Sequence, residues 1–481
     1  MHAAASGKHS TGLSGPVAFG AGLLLLALAP LIRGGNRHVA LMVLEWLGLL
    51  LVLLLALQQA GAPQRMAPGW STVGNAQGVP GKGILVLALA PLWVALVQLV
   101  PLPAGVWGAL PGREVYLGAL TTAQIPVDAF RPLSLVPDAT WLSVLAGIPL
   151  TAAFLLAHTC SFRHLNLLSR ALVVFALAQA VLGLFQLGPF PALYFDAALG
   201  GRAIGTFANP NHFANYIAMS LPLAILMLRH SSGAGHGKNR AKGRWVSSGT
   251  LWGVALFLLL AAVLASSSRG GTTTALLVTL LAVIVLPRQQ RHPRARRWGL
   301  AGAAALLALV AVAVGVDALI SRFETDHAGY LGGDRWLMVT SAWRAGLAFA
   351  PAGSGLGTFA AVFPAFQPPG VRGFVEHAHN DYVQLFMECG GLFVVLGGLA
   401  VTRMARQVAR LARLARTTGL DAPALLQASC GLGVLAVLLH SWVDFNLRIP
   451  ANAMLAAFLL GAFLRPLGPI PPERGGQSLP A

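Results

Sequence analysis

Val39-Ala-Leu-Met-Val-Leu-Glu-Trp-Leu-Gly-Leu-Leu-Leu-Val-Leu-Leu-Leu-Ala-Leu-Gln58 holds a single charge, Glu45, in twenty residues. As a helix rising ~1.5 Å per residue, such a run matches the ~30 Å hydrocarbon core of a bilayer. Eleven more apolar stretches of similar character fall near 17–33, 84–103, 139–158, 169–190, 214–229, 250–266, 272–287, 298–316, 383–402, 424–444 and 451–466. The pattern predicts an all-α polytopic membrane protein with about 12 transmembrane helices. Composition agrees: 56% of residues are hydrophobic and 10% are charged, against roughly 25% charged in a soluble domain.

Charge orients the spans. The linkers 229–249, 287–297 and 403–417 each carry five Lys or Arg, and all three fall on one side of a twelve-span count. With both termini on that side, it holds 22 of the 33 basic residues. The positive-inside rule makes it cytoplasmic. The net charge of +18 is then mostly a topology signal, with anionic lipid as its natural partner. No basic patch comes with base-stacking aromatics, so nucleic acid is not an expected partner. The first stretch ends in Leu-Ala-Pro and reads as a retained signal anchor. Cys160, Cys389 and Cys430 show no pairing pattern and are expected as free thiols.

The expected organisation is helices 1–9 over residues 1–316, an outer loop domain over 317–382, helices 10–12 over 383–466, and a disordered cytoplasmic tail over 467–481. Outer segments also fall at 104–138 and 191–213. In the long loop, Gly333–Ala348 predicts an interfacial helix with Trp336 and Trp343 on one ridge and Arg335 and Arg344 on opposite flanks. Pro351-Ala-Gly-Ser-Gly-Leu-Gly-Thr-Phe359 reads as a flexible hinge. It lacks the Gly-Lys-Ser/Thr ending of a P-loop, though a glycine-rich turn can also cradle phosphate. Arg403, Arg406, Arg410 and Arg413 share a helix face and read as a topogenic cluster.

Chemistry concentrates in Glu376-His-Ala-His-Asn-Asp-Tyr-Val-Gln-Leu-Phe-Met-Glu-Cys-Gly-Gly391, because ionisable groups at a membrane edge are costly and usually mark a site. His377 and His379 admit two readings. One is a metal site with Glu376 and Asp381. The other is a base at His379 oriented by its neighbours. Glu324-Thr-Asp326 is a weaker place for a divalent ion. Three further elements fall on the same side. Gly201-Arg-Ala-Ile-Gly-Thr-Phe-Ala-Asn-Pro-Asn-His212 carries Arg202, Asn209 and Asn211. Ser266-Ser-Ser-Arg-Gly-Gly271 carries Arg269 in a tight turn. His440-Ser-Trp-Val-Asp-Phe-Asn-Leu-Arg-Ile-Pro450 places His440 and Asp444 i, i+4 apart, on one face if helical. Arginine's fork binds phosphate oxygens in pairs, so Arg202 and Arg269 suit a lipid-linked pyrophosphate.

On these residues the chain resembles the O-antigen ligase superfamily. The resemblance rests on Arg202 to Asn211, Ser268-Arg269-Gly270, the His379-Asn380 stretch with Gly390, and His440 to Asn452. Phe393 stands where the family usually has Thr. The resemblance covers roughly 200–455 and implies a GT-C-like fold with a large periplasmic loop between helices 9 and 10. It also implies transfer of a polysaccharide from undecaprenyl pyrophosphate to lipid A-core oligosaccharide, inverting, with neither metal nor cofactor. His379 would be the base, Arg202 and Arg269 would act on the pyrophosphate, and Arg335, Arg344 and Arg372 would contact phosphate or core sugar. His377, Asn209, Asn211, Asn380, His440 and Asp444 complete the expected site. O-antigen polymerases and protein O-oligosaccharyltransferases share these motifs. A multi-span transporter is the alternative of another class, though the paired Gly/Pro-broken segments of such proteins are not evident.

Overall fold

The computed structural model describes residues 14–60, 80–188, 201–233, 248–286 and 332–466. The expected span at 298–316, the acidic pair at 324–326 and the tail at 467–481 lie outside them. In chain order the helices are α1 (Ser14–Leu28), α2 (His38–Ala60), α3 (Lys82–Ala88), α4 (Ala90–Gln98), α5 (Ala104–Gly108), α6 (Glu114–Thr122), α7 (Pro137–Thr159), α8 (Phe162–Phe185), α9 (Pro210–Gly233), α10 (Ser248–Ala265) and α11 (Arg269–Val285). After them come α12 (Gly332–Phe349), α13 (Phe359–Val362), α14 (Asp381–Cys389), α15 (Gly391–Thr417), α16 (Ala422–His440) and α17 (Pro450–Phe463). The sheet among the described residues is one antiparallel ribbon, Pro101–Leu102 (β1) against Arg131–Pro132 (β2).

This is a helical, multi-pass membrane protein. Among the described residues, seven helices (α2, α7, α8, α9, α10, α15 and α16) are long and apolar enough to cross a bilayer, and α1, α11 and α17 are shorter apolar helices. Two expected spans take another form. The stretch 84–103 breaks between α3 and α4, where Pro91 in the first turn of α4 lacks the N–H a continuous helix would need. The stretch 383–402 breaks at Gly390, which has φ +55°. A Cβ there would lie 2.2 Å from the Pro351 carbonyl oxygen, so only glycine fits. The long helix therefore starts at Gly391. Its 27 residues make about 40 Å, so the last turns, bearing Arg413 and Arg416, run past a ~30 Å core. All three cysteines are free thiols.

The bundle is built around α9, which is buried over most of its circumference, including Phe213, Tyr216, Ile217, Met219 and Leu223. A helix apolar all round belongs in the middle of its neighbours; here α8, α10, α11 and α16 surround it.

A second core gathers segments expected on the outer side. Met338, Ala342, Ala345 and Phe349 of α12 pack on Phe359, Phe363, Val371, Val375, Ala378 and Met387, and Tyr116, Leu135 and Val136 close it from the other segment. The opposite face of α12 exposes Trp336 and Trp343, as the spacing predicts. The 351–359 turn is neither a loose hinge nor an anion cradle. Cβ atoms at Gly353, Gly355 and Gly357 would meet Glu388 O at 2.4 Å, Ser134 Oγ at 2.2 Å and Ser143 Oγ at 2.4 Å. Its N–H groups are engaged as well: Ser354 donates to Met387 O, Gly355 to Glu388 O, and Leu356 to Gln98 Oε1 at 2.8 Å. The glycines serve close packing, and no row of free donors is left for phosphate.

Candidate active site

Asn380 builds the local geometry. It N-caps α14, its Oδ1 accepting from Tyr382 N at 3.0 Å and Val383 N at 3.1 Å, while its Nδ2 donates to Trp442 O at 3.0 Å. One side chain thus satisfies orphan donors of a helix start and ties that start to the turn after α16. His379 precedes it at φ +52°, the left-handed region that few non-glycine residues occupy. That turn buries Ala378 and sends the His379 ring toward Asp444, with Nδ1 at 3.4 Å from Asp444 Oδ1. Nδ1 is buried while a quarter of the side chain stays accessible, so another edge of the ring remains open.

Asp444 serves two histidines. His212 Nε2 lies 3.8 Å from the same Oδ1, and the Phe445 N–H donates to it at 2.9 Å. Burial alone would push this carboxyl up; the facing imidazoles of His212 and His379 overcome that and hold it well below the usual carboxylate range. Phe445 is the hub of the cluster: His377 stacks on its ring at 4.3 Å, and His212 and His379 meet it edge-on at 4.6 and 4.9 Å. His377 differs in kind. Burial first, then the charges of Arg448 and the neighbouring histidines, pushes it down to about 3, leaving it a weak base. Gln384 holds it, with Nε2 at 3.3 Å from His377 Nδ1.

Beneath lies a buried ionic layer. Arg448 Nη2 donates to Glu388 Oε2 at 2.6 Å, and Gln384 Nε2 donates to Glu388 Oε1 at 3.2 Å. Asp381 Oδ2 accepts from Ser441 Oγ at 2.7 Å and Leu447 N at 3.0 Å. Desolvation still pushes the Asp381 carboxyl up to about 7.

The arginine side of the site comes from α9–α11. Arg202 Nε donates to Ser266 O at 2.9 Å and its Nη2 to Ser267 O at 3.1 Å, tying its loop to the turn that opens α11. Ser268 caps that helix, accepting from Gly271 N at 3.1 Å, and Arg269 is its first residue. Gly270 abuts His440: a Cβ there would lie 2.8 Å from the imidazole. A run of neighbours therefore links Arg202 and Arg269, through Gly270, to His440 at the end of α16, next to the turn whose Asp444 faces His379. Arg335 lies within electrostatic reach of His440, whereas Arg344 and Arg372 are exposed. Asn209 Oδ1 accepts from Asn211 N at 2.8 Å, so these two residues shape the start of α9.

Two expectations change here. His440 and Asp444 do not share a helix face: α16 ends at His440, and Asp444 sits in the following turn, aimed at His379 and His212. The ligand set imagined around His377 and His379 is not assembled either. Glu376 is exposed, Asp381 is engaged by Ser441 and Leu447, and no group of three His, Cys, Asp or Glu among the described residues is arranged to hold a metal ion. Sequence reading did not single out His212, Phe445 or the Glu388–Arg448 pair. The pair was findable in principle, since a carboxylate inside an apolar helix calls for a partner.

A multi-pass membrane protein with a histidine–carboxylate cluster and two arginines at one end of its bundle is the class these features define. The model of the family described as O-Antigen ligase matches residues 254–397, so this segment is similar to that family, whose members are glycosyltransferase-like enzymes. The matched segment contains Arg269, Arg335, Arg344, Arg372, His377, His379 and Asn380; Arg202, His212, His440 and Asp444 lie outside it. A search of curated proteins finds no match.

Proposed function

We propose that this chain is an O-antigen ligase of the bacterial inner membrane, with about twelve spans in a GT-C-like arrangement, both termini cytoplasmic and the His379 end facing the periplasm. It transfers polysaccharide from undecaprenyl pyrophosphate to lipid A-core oligosaccharide. The observation that carries the reading is the pairing of His379 with Asp444 on the bundle end that also bears Arg202 and Arg269.

The chemistry follows from that layout. Asp444 faces Nδ1 of His379 at 3.4 Å and stabilises the imidazolium that forms, leaving Nε2 to take the acceptor hydroxyl's proton. The acceptor oxygen bonds to C1 of the donor sugar from the face opposite the leaving group, and the anomeric configuration inverts. The C1–O bond breaks with its electron pair passing to the pyrophosphate. Arg202 and Arg269 stabilise that growing charge. A glycosyl pyrophosphate is already activated, so the step needs no nucleotide. In this reading Arg335, Arg344 and Arg372 contact phosphate or core sugar, and the exposed indoles of α12 anchor that helix at the headgroup level.

The test is the gel pattern of surface polysaccharide from a deletion strain complemented with His379→Ala. Lost ligation leaves polymer on its lipid carrier and an uncapped core. Single repeat units on the core would instead make the chain a polymerase. An unchanged lipopolysaccharide ladder would overturn the reading in favour of protein glycosylation or transport.

A further inference from the structure

A second site lies at the other end of the bundle. Helix α16 runs 19 residues from Ala422 to His440, about 28 Å, so residues near its start stand a bilayer's thickness from the His379 cluster. There α8, α9, α10 and α16 part around a cavity of about 310 Å³. Its lining is mostly apolar, with Phe162, Leu226, Met227 and Trp252, and includes Arg170 and His230. No Asp or Glu lines it. Nearby Asp421 is committed to capping α16, its carboxylate accepting from Ala424 N at 2.9 Å.

The backbone adds to the positive character. Helices α8, α10 and α16 all begin at this end, presenting the positive ends of their dipoles. A mostly apolar slot between helices that also presents a guanidinium and an indole suits a molecule with a hydrocarbon tail and an anionic head. Arginine and tryptophan favour the headgroup level, and basic pockets between spans on the cytoplasmic side take acidic lipid headgroups.

We propose that this cavity seats one anionic phospholipid, its phosphate against Arg170 and an acyl chain against Leu226 and Met227. The assignment is independent of the glycosyl-transfer reading, because none of these residues belongs to the His379 site.

The experiment uses the full-length protein in phosphatidylcholine vesicles containing acyl-brominated phosphatidylglycerol or acyl-brominated phosphatidylcholine. Bromine quenches a nearby indole, and the difference between wild type and Trp252→Phe isolates the Trp252 signal. Phosphatidylglycerol is expected to quench that signal at about fivefold lower mole fraction than phosphatidylcholine, the preference one arginine confers at an anionic surface. Arg170→Gln should bring the two lipids level, and inorganic phosphate should leave quenching unchanged. Equal quenching in the wild type overturns the proposal whether or not the variant folds. A preference that survives Arg170→Gln also overturns it, and displacement of the lipid by phosphate would make this a site for the free anion.

Discussion

Asp444→Asn is the most direct test of the proposed base. The substitution keeps the shape of the side chain and an acceptor for the Phe445 N–H at 2.9 Å, but removes the charge facing His379 and His212. At 3.4 Å and an effective dielectric of ~20, a carboxylate stabilises an imidazolium by roughly 5 kcal/mol. That sets the ceiling, since part of it is already spent on burying Asp444. An oriented general base contributes about 10²–10⁴-fold, or ~3–5 kcal/mol at ~1.36 kcal/mol per tenfold, so the two figures agree. Asp444 is held ionised well below the ordinary carboxylate range, and the loss should therefore be the same across neutral pH. The assay is the rate of glycan transfer from lipid-linked donor to acceptor in reconstituted membranes, measured on variant protein that elutes as a single species. A rate within about threefold of wild type lies far outside that range and would refute the pairing as catalytic.

Arg269→Lys and Arg202→Lys keep charge but lose the fork; each should reduce transfer by at least tenfold, about 1.4 kcal/mol, and full activity in either would reduce it to a topogenic charge. Glu388→Ala strands Arg448, now paired at 2.6 Å, and should destabilise the fold by about 3–5 kcal/mol, read as earlier unfolding in detergent. Asp381 titrates in the other direction from Asp444. Its folded-state carboxyl is raised from 3.8 to about 7, so its contribution is fully present below pH 3.8 and lost as pH rises through about 7. The melting temperature of Asp381→Asn minus that of wild type should accordingly grow over that window and level off above it; a difference constant with pH would contradict the buried, raised carboxyl.

Much of this protein was legible in one dimension because a bilayer demands it. A run such as Val39–Gln58 has to be helical, since lipid offers no partner for an unpaired N–H or C=O. The helix expected over Gly333–Ala348 was equally readable and forms as Gly332–Phe349, because two indoles seven residues apart define a helix face before any neighbour is known. The motif histidines and arginines could be singled out because charge at a membrane edge is expensive. Local rules failed where a distant residue decided the outcome. The span drawn at 383–402 breaks at Gly390 because the Pro351 carbonyl occupies the space of a Cβ. The 351–359 glycines looked like a hinge until Ser134, Ser143 and Glu388 filled the gaps beside them.

Sequence alone thus determined that the chain is helical and membrane-embedded and which residue types could do chemistry, since hydropathy and the cost of burying charge act residue by residue. Tertiary structure alone decided which of them meet. Asp444 left its expected helix face beside His440 and turned to His379 and His212, because α16 stops at His440 and Asn380 ties the start of α14 to the turn beyond it. A hydrogen bond spanning 62 residues of chain is a property of packing, and no local pattern encodes it.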